Sequence, residues 1–322
     1  MKIRSFLIVL LWLFGAISAF AQTAENLPLV GVLRLNTREN VEPFPTVFRN
    51  ALGALGQVEG RDIRIDLRLA DGHAERFPEL AQALVRENPR VIFASGDAAT
   101  RAAQQATHTI PIIAVVDDIV GSGLIASLAR PGGNTTGVSI LAAELDPKRL
   151  EILKQIVPSA RRFAILNDPT SASARSELLA EAGRALTVEL PIIDVHSPTD
   201  FAPAFASIGA AGANGVVLHS SPLLFGFRGD LCGLSIRHNL PAIGQSREMA
   251  EAGCLISYGI KLTDAYVMAA RLIDKMLRGA QPAGTPAEQP TNFELVFNLR
   301  TAAALGLTIP QSLLDRADEV IR

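Results

Sequence analysis

A series of short polar clusters, each directly following an apolar run, holds the residues that could do chemistry in this chain. They are Asn36-Thr37, Ser95-Gly96-Asp97, Asp117-Asp118, Asn167-Asp168, His219-Ser220-Ser221 and Gln245-Ser246. Their amides, hydroxyls and carboxylates donate and accept hydrogen bonds, which suits capture of a polar ligand. They do not suit catalysis. His219 and Ser220 are sequence neighbours, and triads are not assembled from neighbours. Asp117 and Asp118 are adjacent in extended chain, so their carboxylates point apart and form no dyad. A G-x-S-x-G elbow is absent, as is the phosphate loop G-x-x-x-x-G-K-[ST]. The chain therefore reads as a binding protein without a cofactor, not as an enzyme.

Each cluster has its own expected role. Ser95 and Gly96 stand between a strand and a helix N-terminus, where free N–H groups and the helix dipole attract an anion. Asp97 reads as the cap of that helix. Asp118 is favoured over Asp117 as the cleft acid, able to pair with an ammonium or accept from hydroxyls. Asn36, Thr37, Asn167, Ser220, Ser221, Gln245 and Ser246 complete the expected ligand contacts. Arg38 and Arg247 are candidate carboxylate clamps, although Arg247 fits an exposed role better. Phe225 and Phe227 read as an apolar lip or as core.

The elements that must position these clusters follow from periodicity. Apolar runs at 29–35, 91–94, 112–116, 162–166, 215–218 and 241–243 read as buried strands. Strict alternation over 63–69 (IRIDLRL) predicts an edge strand with one wet face. Amphipathic helices are expected between the strands, and 263–277 gives a further helix whose apolar set includes Val267. In 91–137 a strand, a helix and a second strand form a βαβ unit. Open parallel sheets bind ligands beyond the C-terminal ends of their strands, where the polar clusters fall. The order repeats after 147, so the fold class is α/β, with two doubly wound parallel-sheet lobes. The length of 322 residues agrees with about two domains.

Composition narrows the function further. A net charge of -2 gives no electrostatic attraction to nucleic acid or an anionic membrane. Residues 1–21 read as a secretory signal: Lys2 and Arg4 precede an apolar stretch, and Ala19-Phe20-Ala21 is an A-x-A site with the cut after Ala21. The expected compartment is the periplasm. The chain has two cysteines, Cys232 and Cys254. In an oxidising compartment they could form a disulfide or remain two buried thiols. The five histidines are scattered, without metal-ligand spacing.

The segments 55–61 (LGQVEGR), 126–137 (ASLARPGGNTTG), 252–259 (AGCLISYG) and 289–307 (QPTNFELVFNLRTAAALGL) carry a resemblance. The chain resembles the ABC-transporter substrate-binding protein family, whose characterised members include aromatic amino-acid binders of the TrpX type. The resemblance implies the type I periplasmic-binding fold with a three-segment hinge. It also implies a monomeric receptor that passes a small molecule to an inner-membrane permease driven by a separate ATPase. A ligand-sensing subunit for a membrane signalling protein is the alternative. It places the family's acid at Asp118. Lobe 1 is expected over 27–137 plus about 260–290, lobe 2 over 138–259 plus about 291–322, and the hinge at Gly137, Tyr258 and Gly259. The pocket walls depart from the family. Asp97-Ala98 replaces Thr-Pro, Ile119-Val120 replaces Pro-Val, and Gly244-Gln245 stands where an aromatic and a proline are common. An aromatic amino-acid ligand therefore does not carry over from the resemblance.

Overall fold

The computed structural model describes residues 27–171 and 176–322. The expected signal, with its cleavage point after Ala21, lies outside the described residues.

The first lobe is a five-stranded parallel sheet in the order β2-β1-β3-β4-β5. Its strands are β1 (Leu29–Arg34), β2 (Arg64–Leu69), β3 (Val91–Ser95), β4 (Ile112–Val116) and β5 (Thr135–Ser139). The helices α1 (Phe44–Ala54), α2 (Phe77–Arg86) and α3 (Asp97–Ala106) connect them. Strands β1 and β4 are buried at every position, which is why they read as apolar runs; β5 (TTGVS) is equally buried but carries polar Thr135, Thr136 and Ser139. Edge strand β2 departs from expectation. Each of its residues is half-buried, so neither face is fully wet.

The second lobe is a seven-stranded sheet in the order β12-β11-β10-β9-β8-β6-β7. It comprises β6 (Ala164–Asn167), β7 (Ile192–Asp194), β8 (Val216–Leu218), β9 (Ala242–Gly244), β10 (Ile256–Ile260), β11 (Phe293–Asn298) and β12 (Glu319–Ile321). All its pairs are parallel except β10 with β11. Helices α4 (Asp146–Ile156), α5 (Ser176–Leu186), α6 (Phe201–Ala210), α7 (Pro222–Gly226), α8 (Arg228–Arg237) and α9 (Arg247–Glu251) fill the connections. Cys232 in α8 and Cys254 before β10 are joined in a disulfide.

The chain passes between the sheets three times. It leaves β5 through Ile140 and Leu141, and leaves β10 through Lys261 into α10 (Leu262–Leu277). That helix packs on α1, β3, β4 and β5 of the first lobe. Its buried face is Leu262, Ala265, Tyr266, Ala269, Ala270, Leu272, Ile273 and Met276. Val267, expected on that face, is 40% exposed. The chain returns through Glu288, which bridges Val138, and enters β11.

Three expected hinge positions therefore move. Gly137 stands inside β5, where a Cβ would lie 2.0 Å from the Ala114 carbonyl oxygen. Glycine is there for close strand packing. Tyr258 and Gly259 stand inside β10, paired with Leu295 and Glu294 of β11. At Gly259 a Cβ would lie 1.8 Å from the Gln245 carbonyl oxygen. The connecting residues are the neighbours that follow: Ile140 and Leu141, then Lys261. Lys261 donates its N–H to the Asn292 carbonyl at 3.1 Å, tying the second connection to the third.

Candidate functional site

Both sheets have a topological switch point. In the first, β2 and β3 lie on opposite sides of β1; in the second, β7 and β8 lie on opposite sides of β6. Loops diverge there and leave a crevice at the strand ends. The two crevices face each other, and the cleft between them measures about 510 Å³ including its open mouth.

The first lobe lines the cleft with Arg34, Ser95, Gly96, Asp97 and Asp117. The second contributes Ser171, Ser220, Ser221, Pro222, Phe225 and Gln245. Ile140, Leu262 and Tyr266, from the connections and α10, close the back. Of the expected contacts, Ser95, Gly96, Ser220, Ser221 and Gln245 therefore meet in one cavity. Ser221 also caps α7, accepting from the Leu224 N–H at 2.9 Å. Gln245 is buried, and its Oε1 has no hydrogen-bond partner among the described residues.

Other expected contacts lie elsewhere. The two aspartates after β4 exchange roles. Asp118 turns back on its own loop and accepts the Gly121 N–H at 2.8 Å. Asp117 lines the cleft, with Oδ1 accepting the Ala143 N–H, just beyond the first connection, at 3.1 Å. Asn36 is buried behind the cleft, where its Nδ2 donates to the Asn40 carbonyl at 3.2 Å. Thr37 is half-buried and gives its N–H to Asn40 Oδ1. Asn167 holds Asp194 through Nδ2 at 2.8 Å, and Ser246 is buried; neither lines the cavity. Arg38 is exposed. Arg247 pairs with Glu251, Glu294 and Glu319, away from the cleft. Phe225 is a cleft wall beneath the Arg228 guanidinium at 4.7 Å, whereas Phe227 packs on Phe201 with ring centroids 5.9 Å apart.

Arg34 and Tyr266 were not among the expected contacts. Arg34 is 2% exposed at the end of a strand that is otherwise apolar. A cation ending an apolar, fully buried run was the signal for it. Tyr266 is buried, which raises the pKa of its phenol against the opposing pull of Arg34. It therefore stays protonated across the physiological range.

Behind the second lobe's wall lies a buried charge network. His219 Nδ1 and Asp146 Oδ2 are 2.6 Å apart, and Arg149 Nη1 is hydrogen-bonded to Asp146 Oδ1. Burial alone would lower the His219 pKa, but the hydrogen bond and charge of Asp146, with the charge of Asp117, raise it overall.

The lobes touch directly around this cavity. Arg228 Nη2 donates to the Glu42 carbonyl at 3.0 Å. Gly96 has φ +89°, and a Cβ there would lie 2.6 Å from Pro222 Cγ of the opposite lobe.

Two α/β lobes, joined by three connections and closed over a polar cavity, define a bilobed binding protein of the type I periplasmic-binding fold. Residues 45–321 match the family described as ABC transporter substrate binding protein, and the chain belongs to that family. It is a family of binding proteins, not of enzymes. Among its relatives is a "Tyrosine-binding protein" of Clostridioides difficile (strain R20291). The two are 23% identical over 287 residues, covering 86% of this chain and 81% of that protein. Among solved structures, a conserved domain protein from Vibrio cholerae has a TM-score of 0.83 at 24% identity, covering 91% of this chain and 99% of that one. A Streptococcus pneumonia ABC domain in complex with L-Trp has a TM-score of 0.81 at 23% identity, covering 92% and 100%. Among the described residues, no helix is long and apolar enough to cross a membrane.

Proposed function

We propose that this protein is the periplasmic receptor of an ABC importer, capturing an amino acid or related small carboxylate between its lobes. One observation carries the reading: a side chain from each lobe lines the same cavity and carries a buried polar atom that is without a hydrogen-bond partner among the described residues. Arg34 Nη1 belongs to the first lobe and Gln245 Oε1 to the second. Buried polar atoms without partners are costly, so a molecule satisfying both would favour the closed arrangement. The tyrosine and L-Trp ligands of the relatives agree with an amino-acid-sized guest. In this reading the leader of 1–21 directs export and is cut after Ala21. The closed monomer is then recognised by a permease whose ATPase is a separate chain.

A ligand that binds only the native state must raise the melting temperature. The sole tryptophan, Trp12, lies within the expected leader, so thermal shift serves better than tryptophan fluorescence. The screen covers the amino acids, small carboxylates, purines and sugars. At least one amino acid or carboxylate is expected to raise the melting temperature in a saturable way. A response to sugars or purines alone would overturn the reading.

A further inference from the structure

Arg34 is a buried cation that shares the cleft wall with the buried carboxylates of Asp97 and Asp117. Among the described residues it makes no ion pair, although it is 2% exposed. Removing a guanidinium from water costs several kcal/mol unless its charge is answered. Part of the answer is visible. Its Cζ lies 4.2 Å from the centroid of Phe44 and 5.5 Å from that of Tyr266, so two aromatic faces attract the charge. Nε donates to Asn36 Oδ1 at 3.1 Å, and Nη2 lies 3.4 Å from the Tyr266 hydroxyl. These contacts fix the plane of the guanidinium. Among the described residues they leave Nη1 buried and unpartnered on a side chain that lines the cleft.

We propose that Arg34 is the specificity-determining residue of the cleft, selecting ligands that present a carboxylate to its Nη1. This rests on the receptor reading above and adds which group on the ligand is chosen and by which residue. A charge-assisted hydrogen bond from a prepositioned guanidinium is short and strong, and forming it spends little further side-chain entropy. A neutral analogue leaves Nη1 buried and unsatisfied, which is how a polar site rejects a ligand lacking the matching group. Asn36, expected to touch ligand, acts here through Arg34 as the residue that aims it.

The test is calorimetry and thermal shift on the wild type, Arg34→Gln and Arg34→Lys. The probes are L-tyrosine, L-tryptophan, L-glutamate and succinate, each beside a counterpart in which the carboxylates are amides or absent. In the wild type, each bound carboxylate should lose about 30-fold or more in affinity when neutralised. In Arg34→Gln the carboxylate should fall to the level of its neutral counterpart, whose own affinity is unchanged. Arg34→Lys should recover only part of the loss, because an ammonium cannot reproduce the stacked fork. Arg34→Gln without ligand should melt no lower than about 2 °C below the wild type, since it removes a buried charge that makes no ion pair among the described residues. Carboxylate selectivity that survives Arg34→Gln overturns the assignment, and so does a steep loss of ligand-free stability.

If no organic probe shifts the wild type, the amino-acid receptor reading fails separately. Acetate then reads Arg34 alone. A melting temperature that rises with acetate in the wild type and not in Arg34→Gln upholds the assignment, and flat curves in both overturn it.

Discussion

Arg149 donates from Nε to the main-chain carbonyl of Tyr258 at 2.7 Å, from a position with no solvent exposure. Its Nη1 reaches the Ala142 carbonyl at 2.8 Å. Ala142 follows the first connection between the lobes, and Tyr258 precedes the second. One side chain thus fixes the second lobe's ends of two connecting segments, while Asp146 answers its charge. Bending between the lobes is expected beyond these anchors, at Ile140 and Leu141 and at Lys261. Short connections between fixed ends limit the closing motion to a defined path.

Replacing Arg149 with Met should be costly for that reason. It leaves Asp146 buried with only His219 as partner and two carbonyls without their donor. The loss should be about 3–5 kcal/mol, the usual cost of stripping one member from a buried ion pair. Scanning calorimetry should show a melting temperature lower by on the order of 10 °C. Arg149→Lys should fall nearly as far, because one ammonium cannot reach both carbonyls and the carboxylate. A drop of only a degree or two would show that the connections hold without this residue.

His219 gives a pH dependence whose sign can be worked out. Its pKa in the folded protein is raised above the unfolded value of about 6.5, through Asp146 and Asp117 acting against burial and the Arg149 charge. The folded state therefore holds the proton more tightly than the unfolded state. The stability that His219 contributes is fully present below about pH 6.5 and is lost as pH rises through the higher folded pKa. Urea unfolding from pH 6 to 9 should show the wild type losing stability relative to His219→Gln. Parallel curves would mean that the imidazole stays neutral throughout.

The exchange of Asp117 and Asp118 can be tested by a matched pair of variants. Asp117→Asn keeps the acceptor for the Ala143 N–H and removes the charge that faces the cleft. It should weaken binding of an ammonium-bearing ligand by 10-fold or more, as loss of a buried charge partner does. It should also lower the His219 pKa, measured by NMR titration, since the Asp117 charge helps to raise it. Asp118→Ala removes a turn acceptor and should cost about 1 kcal/mol of stability, leaving affinity within threefold. Equal losses of affinity in both variants would return Asp118 to the cleft.

The strands were legible because burial on both faces leaves an unbroken apolar run, as in Ile112–Val116. The cleft was legible because polar residues follow those runs at the switch points. Which of two adjacent acids faces inward was not, because the Gly121 N–H that draws Asp118 outward belongs to a turn without periodicity. The hinge was misplaced for a related reason. Glycine marks both bending and close approach, and Gly137 and Gly259 serve close approach. Tyr266 escaped notice because the expected apolar face of its helix ran through the neighbouring Val267, which is exposed while Tyr266 is buried. Arg34 was the most readable omission, since a cation closing LVGVL is costly in a buried strand without a purpose.

Gly96 separates local backbone strain from closure of the lobes. At φ +89° and ψ 162° it occupies a region open almost only to glycine, so Gly96→Ala strains the turn by about 1–3 kcal/mol. The added Cβ would also press on the Pro222 ring across the cleft, a ring that cannot swing aside as a long side chain would. The first effect acts within one lobe and lowers the melting temperature whether the lobes are open or shut. The second acts only when they shut, so it lowers affinity and enlarges the radius of gyration measured by X-ray scattering with ligand present. Adding Pro222→Ala should relieve the second effect alone: affinity and compactness recover, and the lowered melting temperature remains. If the double variant binds as poorly as Gly96→Ala, the fault lies in the turn, and contact between Gly96 and Pro222 does not limit closure.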